Sequence, residues 1–375
     1  MTNQIKEKMN FSFPYSQNAN FPNRYISPEK LFSYLQDNYS DYIKEIGKSS
    51  FGKPIYMLSL GNGNLKVAAW SQMHGNESTA TLAMLDLLFI FDKNPELKDK
   101  LFTLIQLDFI FMLNPDGSEA WTRRNAYDID INRDFIRNSS NEIRVLKSIV
   151  LNGNYSYLLN LHDQRTIFTT DGIHPATLSF LSPSENAERD ITENRKKSMA
   201  VIAAIYMQMK QILPNRIAKY TDEFYPTSSG DNFMKSGIPA ILFEGGFYEN
   251  DLERRKTREY YTQALYFALK AISVLKGDTL SYETYFDIPQ NKETHFDLIY
   301  RNVKLNTDFE CILDIAVQYR EILDDNQKLT YQPYVVEVGD LNHKKGWTEI
   351  DCTDKRFVSV KKFPKLDSLV DFRIE

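Results

Sequence analysis

Cysteine is scarce in this chain. Its 375 residues include only Cys311 and Cys352. Both lie in the last quarter, in no C-x-x-C pair and no metal-type spacing, so a disulfide framework or cysteine-built metal site is not expected. They read as free thiols of a reducing compartment, and the expected location is cytoplasmic. Long hydrophobic runs are also missing. The most apolar stretch, Thr81 to Phe91, is too short to span a bilayer and contains Asp86. The opening residues, Met1 to Glu7, are polar with no apolar segment, so no signal peptide is expected. Neither sign of charge dominates: 45 basic and 50 acidic residues leave a net of −5. No basic cluster stands out, which argues against nucleic-acid and membrane partners. There is no internal repeat and no low-complexity tract.

What is present is enough apolar material, 42% of the residues, for a sizeable core. The length suits one large domain and a smaller one. Residues 10–26 read as an extended arm. Ser27-Pro28-Glu29 reads as a helix start, with Ser at the cap and Pro in the first turn, and the helix is expected to reach about Ile46. Phe51 to Leu60 reads as the edge of a strand pair, followed by the turn Gly61-Asn62-Gly63-Asn64. Lys66 to Trp70, Phe102 to Leu113, Tyr155 to Leu161 and Ile238 to Phe243 read as buried strands. Helices are expected over Ser78 to Phe91, Ser182 to Leu213 and Asn250 to Leu275, the last closed by Gly277. Thr227 to Asn232 reads as a loop. The expected fold is α/β, a mixed and mostly parallel sheet flanked by helices. From Thr279 onward short alternating runs, His295 to Tyr300, Cys311 to Gln318 and Tyr334 to Val338, suggest a small β-rich appendage. The expected division is 1–277 and 278–375, the second part serving as a stabilising lid or spacer.

The polar groups fall where such a sheet would use them. His74 and Glu77, in Gln72-Met73-His74-Gly75-Asn76-Glu77, follow the strand ending at Trp70. The loop Ser118 to Phe135, dense in Arg, Asp and Asn, follows Asn114-Pro115-Asp116-Gly117. His162 and Glu244 each end a strand. In a parallel sheet those ends share one edge, where sites form. Histidine and glutamate three apart can bind zinc, whose catalytic sites use three protein ligands and leave a position for water.

Taken in order, these motifs resemble the zinc metallocarboxypeptidases related to carboxypeptidase A. The resemblance runs from about Tyr25 to Leu275. It rests on His74-Gly75-Asn76-Glu77, Asn114-Pro115-Asp116-Gly117, Arg123-Arg124-Asn125-Ala126, Asp130-Ile131-Asn132-Arg133-Asp134-Phe135, Leu161-His162 and Phe243-Glu244. It implies one Zn2+ per chain held by His74, Glu77 and His162, with Glu244 as general base. It implies Arg123, rather than its neighbour Arg124, at the scissile carbonyl. Asn132 and Arg133 would grip the substrate's carboxylate, and Asp130 would orient the His74 imidazole. Tyr225 would cap the bound substrate. Asp231 would face the pocket for the terminal side chain and favour a basic residue, or else be a structural acid fixing a neighbouring arginine. Asp163 departs from the small residue common after the third ligand. His174 reads as a loop residue at the cleft rim, and His295 and His343 as non-ligands.

The activity implied is hydrolysis of a C-terminal bond in an ordinary or cell-wall-type peptide. Two alternatives stand beside it: a deacylase of the same fold acting on acyl-amino acids or small amides, and a non-catalytic zinc or ligand binder. A positioned Glu244 argues against the binder.

Overall fold

The computed structural model describes residues 13–164 and 167–375. The polar opening stretch and the start of the expected arm, residues 10–12, lie outside the described residues. The rest of the arm has no regular structure up to the first helix, yet buries Phe13, Phe21 and Ile26 in the main core.

Eight strands form the central sheet: β1 (Ile43–Lys48), β2 (Pro54–Leu60), β3 (Leu65–Trp70), β4 (Ile105–Phe111), β5 (Tyr157–Asp163), β6 (Leu178–Leu181), β7 (Ile217–Lys219) and β8 (Ala240–Gly245). Their spatial order is β1-β2-β4-β3-β5-β8-β6-β7. The middle four, β4, β3, β5 and β8, run parallel. β1, β2 and β4 pair antiparallel, as do β8 and β6. Every residue of β5 is buried, as expected for a strand covered on both faces. The helices Thr79–Lys93, Glu193–Ile212 and Arg255–Leu275 pack together over the sheet, and the apolar cluster beneath them is the main core. This is the mixed, mostly parallel sheet the sequence implied.

Several boundaries moved, each for a local reason. The first helix is capped as expected, Ser27 accepting from the Lys30 amide, but it stops at Tyr39. Ile43 to Lys48 instead joins the sheet edge, Ile43 opposite Leu58. The Gly61–Asn64 turn does not close a hairpin, since β3 pairs with β4 and β5. The helix expected from Ser182 begins at Glu193, where Thr192 caps it. Residues 182–192 stay a loop because buried Arg195 donates to the carbonyls of Ser182, Arg189 and Asp190. The expected loop at 227–232 is instead a capped helix, Ser229–Lys235, with Ser228 accepting from the Asp231 amide. The last helix starts at Arg255 because Asp251 accepts from the amides of Arg255, Lys256 and Thr257. It ends with Lys276 and Gly277 at φ +50° and +91°, the left-handed exit that glycine favours.

Past this helix, Tyr285 and Ile288 still pack in the main core. A separate five-stranded sheet follows, ordered Lys345–Asp351, His295–Lys304, Ile312–Leu323, Leu329–Gly339, Ser368–Leu369. Its first pair is parallel and the others antiparallel. Its own small core includes Leu298, Ile315, Val317, Val335, Phe357 and Phe372. Both cysteines are here and unpaired, Cys311 half-buried and Cys352 buried.

Candidate active site

The parallel strands bring His74, His162 and Glu244 to one edge. β3 ends at Trp70, and the tight segment after it carries His74 and Glu77. Gly75 has no freedom to vary here: a Cβ would lie 2.1 Å from the Gly117 carbonyl carbon. The His-Gly-Asn-Glu turn therefore packs directly on the Asn-Pro-Asp-Gly turn. Gln72 adds to this, its side-chain amide donating to the Gly75 carbonyl and to Ser118 Oγ. β5 and β8 are in register, His162 opposite Glu244. Gly246 lets β8 leave the sheet: a Cβ there would lie 2.0 Å from the Ala176 carbonyl oxygen.

Ligand atoms of three buried residues converge. His74 Nδ1 lies 3.0 Å from Glu77 Oε1, His162 Nδ1 lies 3.0 Å from Glu77 Oε2, and the two Nδ1 atoms are 3.1 Å apart. Two ring nitrogens so close cannot both carry protons. A tetrahedral zinc with ligands about 2.0–2.1 Å away would hold two nitrogens little further apart than this. The donor set, two imidazoles and a carboxylate, therefore fits a zinc ion. Among the described residues it is the one cluster of three such ligands. On its far side His74 Nε2 lies 3.2 Å from Asp130 Oδ1, so the carboxylate fixes the ring's tautomer and direction.

Charge at the site follows from burial and neighbours. Burial alone would raise Glu77, but the His74 charge and the bonds from His162 and His74 outweigh it and hold Glu77 well below the usual carboxylate range. The Glu77 carboxylate likewise lifts His74 against burial, whereas burial lowers His162. Asp130 also stays low, bonds and charge from His74 and the charge of Arg123 overcoming burial. Glu244 is pushed well above its ordinary value, first by burial and then by the charges of Glu77 and Asp163. Its Oε2 is buried with no hydrogen-bond partner, as an acid waiting for a cleft-bound group would be. A dication held by the three ligands would oppose this repulsion and favour the ionised form of Glu244.

Arg123 lies at the ligands, and Arg124 does not. Arg123 Nη1 donates to Glu77 Oε1 at 3.2 Å and its Nε donates to Asp130 Oδ2 at 3.1 Å. Arg124 turns outward to the Asp128 carbonyl. Asn132 is oriented by Ser229, whose Oγ donates to its Oδ1 at 2.6 Å. The Arg133 guanidinium stacks 4.4 Å from the centre of the half-exposed Tyr225 ring. Arg123, Asn132, Arg133 and Tyr225 line one cleft of about 370 Å³, together with His74, Glu77, His162, Asp231 and Glu244.

Asp231 reaches the cleft but is otherwise engaged, and not by an arginine. It accepts from the Ser184 amide, the Tyr225 amide and Ser228 Oγ, so it ties together the two loops forming that wall. Asp163, after the third ligand, is buried and bonded to the Thr79 amide and hydroxyl. His174 pairs with Asp171, 2.7 Å away, and is not among the residues lining the cleft. His295 contacts Thr294 in the second sheet.

Among the cleft residues that sequence reasoning missed are Tyr220 and Asn160. Tyr220 follows the three-residue β7, too short to signal a strand. Its hydroxyl is raised by burial and then by the charge of Glu244. Asn160 lines the cleft floor two residues before His162, and its buried Oδ1 has no partner. The inward alternation along β5 was the available signal for it.

Comparison with known proteins agrees with this geometry. The family model described as zinc carboxypeptidase matches residues 29–233. A sequence search of curated proteins finds no match. Among solved structures, a metallo-carboxypeptidase from Burkholderia cenocepacia matches with TM-score 0.52 and 16% identity, over 67% of this chain and 70% of that one. Carboxypeptidase A from Helicoverpa armigera matches with TM-score 0.52 and 16% identity, over 68% and 74%. Bovine thrombin-activatable fibrinolysis inhibitor matches with TM-score 0.52 and 16% identity, over 67% and 98%. At such identities the structural likenesses speak to fold alone. The family model spans more than half of the sequence, and its ligand set stands assembled in the cleft, so this chain belongs to the zinc carboxypeptidase family.

Proposed function

We propose that the chain removes the C-terminal residue of peptides, with Glu244 as general base, Arg123 at the scissile carbonyl, and Asn132 and Arg133 on the substrate's terminal carboxylate. The family implies a peptide substrate with a C-terminal carboxylate. The observation that carries the finer reading is Glu244, aimed into the cleft opposite His162 with an unpartnered carboxylate oxygen. Bound zinc supplies Lewis acidity, lowering the pKa of water at the site and polarising the carbonyl. Glu244 takes the proton of the attacking water and delivers it to the departing amine nitrogen. Arg123 donates to the carbonyl oxygen as negative charge grows there. Arg133 offers a planar fork to the free carboxylate, Asn132 its amide, and Tyr225 closes over them. Asp130 holds the His74 ring.

Asp231 is proposed as a builder of the pocket wall, since its oxygens already serve three donors. The chain divides, in this reading, into a catalytic unit 1–277 and an appendage 278–375, with 282–288 packed on the catalytic core. Unpaired Cys311 and Cys352 support a cytoplasmic setting.

The test is a mixed peptide pool incubated with zinc-loaded protein, with free and with amidated C-termini, and products read by mass spectrometry. Single-residue trimming of the free pool alone is expected. Cleavage of both pools alike would remove the carboxylate-gripping role of Asn132 and Arg133. Cleavage of neither, with acylated amino acids hydrolysed instead, would make the enzyme a deacylase.

A further inference from the structure

We infer that Glu321, on a strand of the C-terminal sheet, is a positioning residue for Arg123. The appendage is then part of the catalytic apparatus and not a spacer. The inference rests on the role given to Arg123 above.

The path is short, and it begins at two buried side chains, Arg24 and Trp121. Glu321 forms an ion pair with Arg24 and accepts a hydrogen bond from Trp121 Nε1 at 3.3 Å. The Arg24 guanidinium also lies 5.7 Å from the centre of the Trp121 ring, and Tyr25 meets the same ring edge-on. Trp121, two residues before Arg123, has φ +54°. That left-handed backbone is uncommon and unfavourable for a bulky residue, so surrounding contacts must hold it. Trp121 is only 5% exposed, and Glu321 supplies the acceptor for its indole N–H. From Trp121 the chain runs straight to the site. The Thr122 amide donates to the Gly117 carbonyl, and the Arg123 carbonyl accepts from the Gly75 amide, between the ligands His74 and Glu77.

The same junction grips the site from two other sides. Ser78 Oγ, next to Glu77, donates to the Arg24 carbonyl at 2.7 Å. The Arg24 amide donates to Glu253, which also accepts from the Tyr331 hydroxyl of the C-terminal sheet. One appendage carboxylate thus anchors both the arm that touches Ser78 and the tryptophan that aims Arg123. A lid or spacer would need neither contact.

The experiment compares full-length, zinc-loaded Glu321→Gln, Trp121→Phe, Arg123→Ala and the double variant Glu321→Gln/Arg123→Ala. Zinc content, melting temperature, kcat and KM are measured on a peptide with a free C-terminus. Arg123→Ala should lower kcat about 10²–10³-fold. Glu321→Gln and Trp121→Phe should each lower kcat about tenfold, with KM and zinc content nearly unchanged. Trp121→Phe keeps the buried ring and serves if Glu321→Gln does not fold. Once Arg123 is absent, Glu321→Gln should have no further effect on kcat. An equal loss from Glu321→Gln with and without Arg123 would overturn positioning and leave a structural role. Unchanged kcat in both single variants, beside a crippled Arg123→Ala, would also overturn it while sparing the proposed function. An active Arg123→Ala would overturn both this inference and the role of Arg123.

Discussion

Strand β5 of the body is buried at every residue, whereas strand Lys345–Asp351 of the C-terminal sheet has no buried residue at all. On a strand covered on both faces a polar group is costly unless something holds it, as His162 and Asp163 are held, or a site uses it, as the cleft-lining Asn160 suggests. Polar groups on the exposed Lys345–Asp351 strand carry no such message, because water satisfies them. The same residue types therefore mean different things in the two regions, and substitutions should expose the difference.

The contrast is broken most severely by taking away the metal. Chelation should abolish turnover and loosen the body, since a group bound only by the folded form stabilises it. Hydrogen exchange would show lost protection in β3 and β5 and retained protection in Ile312–Leu323. Equal loosening of both sheets would contradict the contrast. Next in size is Glu244→Gln, expected to lower kcat about 10²–10⁴-fold with zinc retained. Glu337→Gln in the second sheet should leave kcat unchanged, and a similar loss there would erase the distinction. Packing comes third. Phe243→Ala removes a fully buried ring that meets Phe180 edge-on and lies tilted against Tyr261, and should cost about 3–5 kcal/mol in denaturant melts. The exposed Ile322→Ala should change stability by about 0.5 kcal/mol or less.

The smallest effect sharpens the comparison inside the appendage. Burial pushes the Asp297 carboxyl up to about 6, against its ordinary 3.8, despite a bond from the Tyr319 amide. The folded chain then holds a proton that the unfolded chain has released. Stability should fall as pH rises from about 4 to about 6 and level off above. Asp297→Asn should flatten melting temperature over that window; an unaltered slope would place the titrating group elsewhere.

The site's frame was legible because parallel buried strands announce themselves as apolar runs, and the runs before His74, His162 and Glu244 stop at polar residues. The wall made by 182–192 and 220–231 was not legible. Ser182-Pro183-Ser184-Glu185 looks like a helix start, and only the distant Arg195 keeps it a loop. β6 and β7 were invisible because four and three residues carry no usable alternation. Trp121 gave no sign of its left-handed backbone, which depends on Arg24 and Glu321, far away in the chain.

The placement of sulfur has a practical use. Both thiols in the sequence flank strands of the second sheet, Cys311 partly accessible and Cys352 sealed. A maleimide dye would mark that sheet alone and leave the peptidase cleft unlabelled. Slow modification of Cys352 would then time the opening of the second sheet, giving a built-in reporter that needs no introduced cysteine.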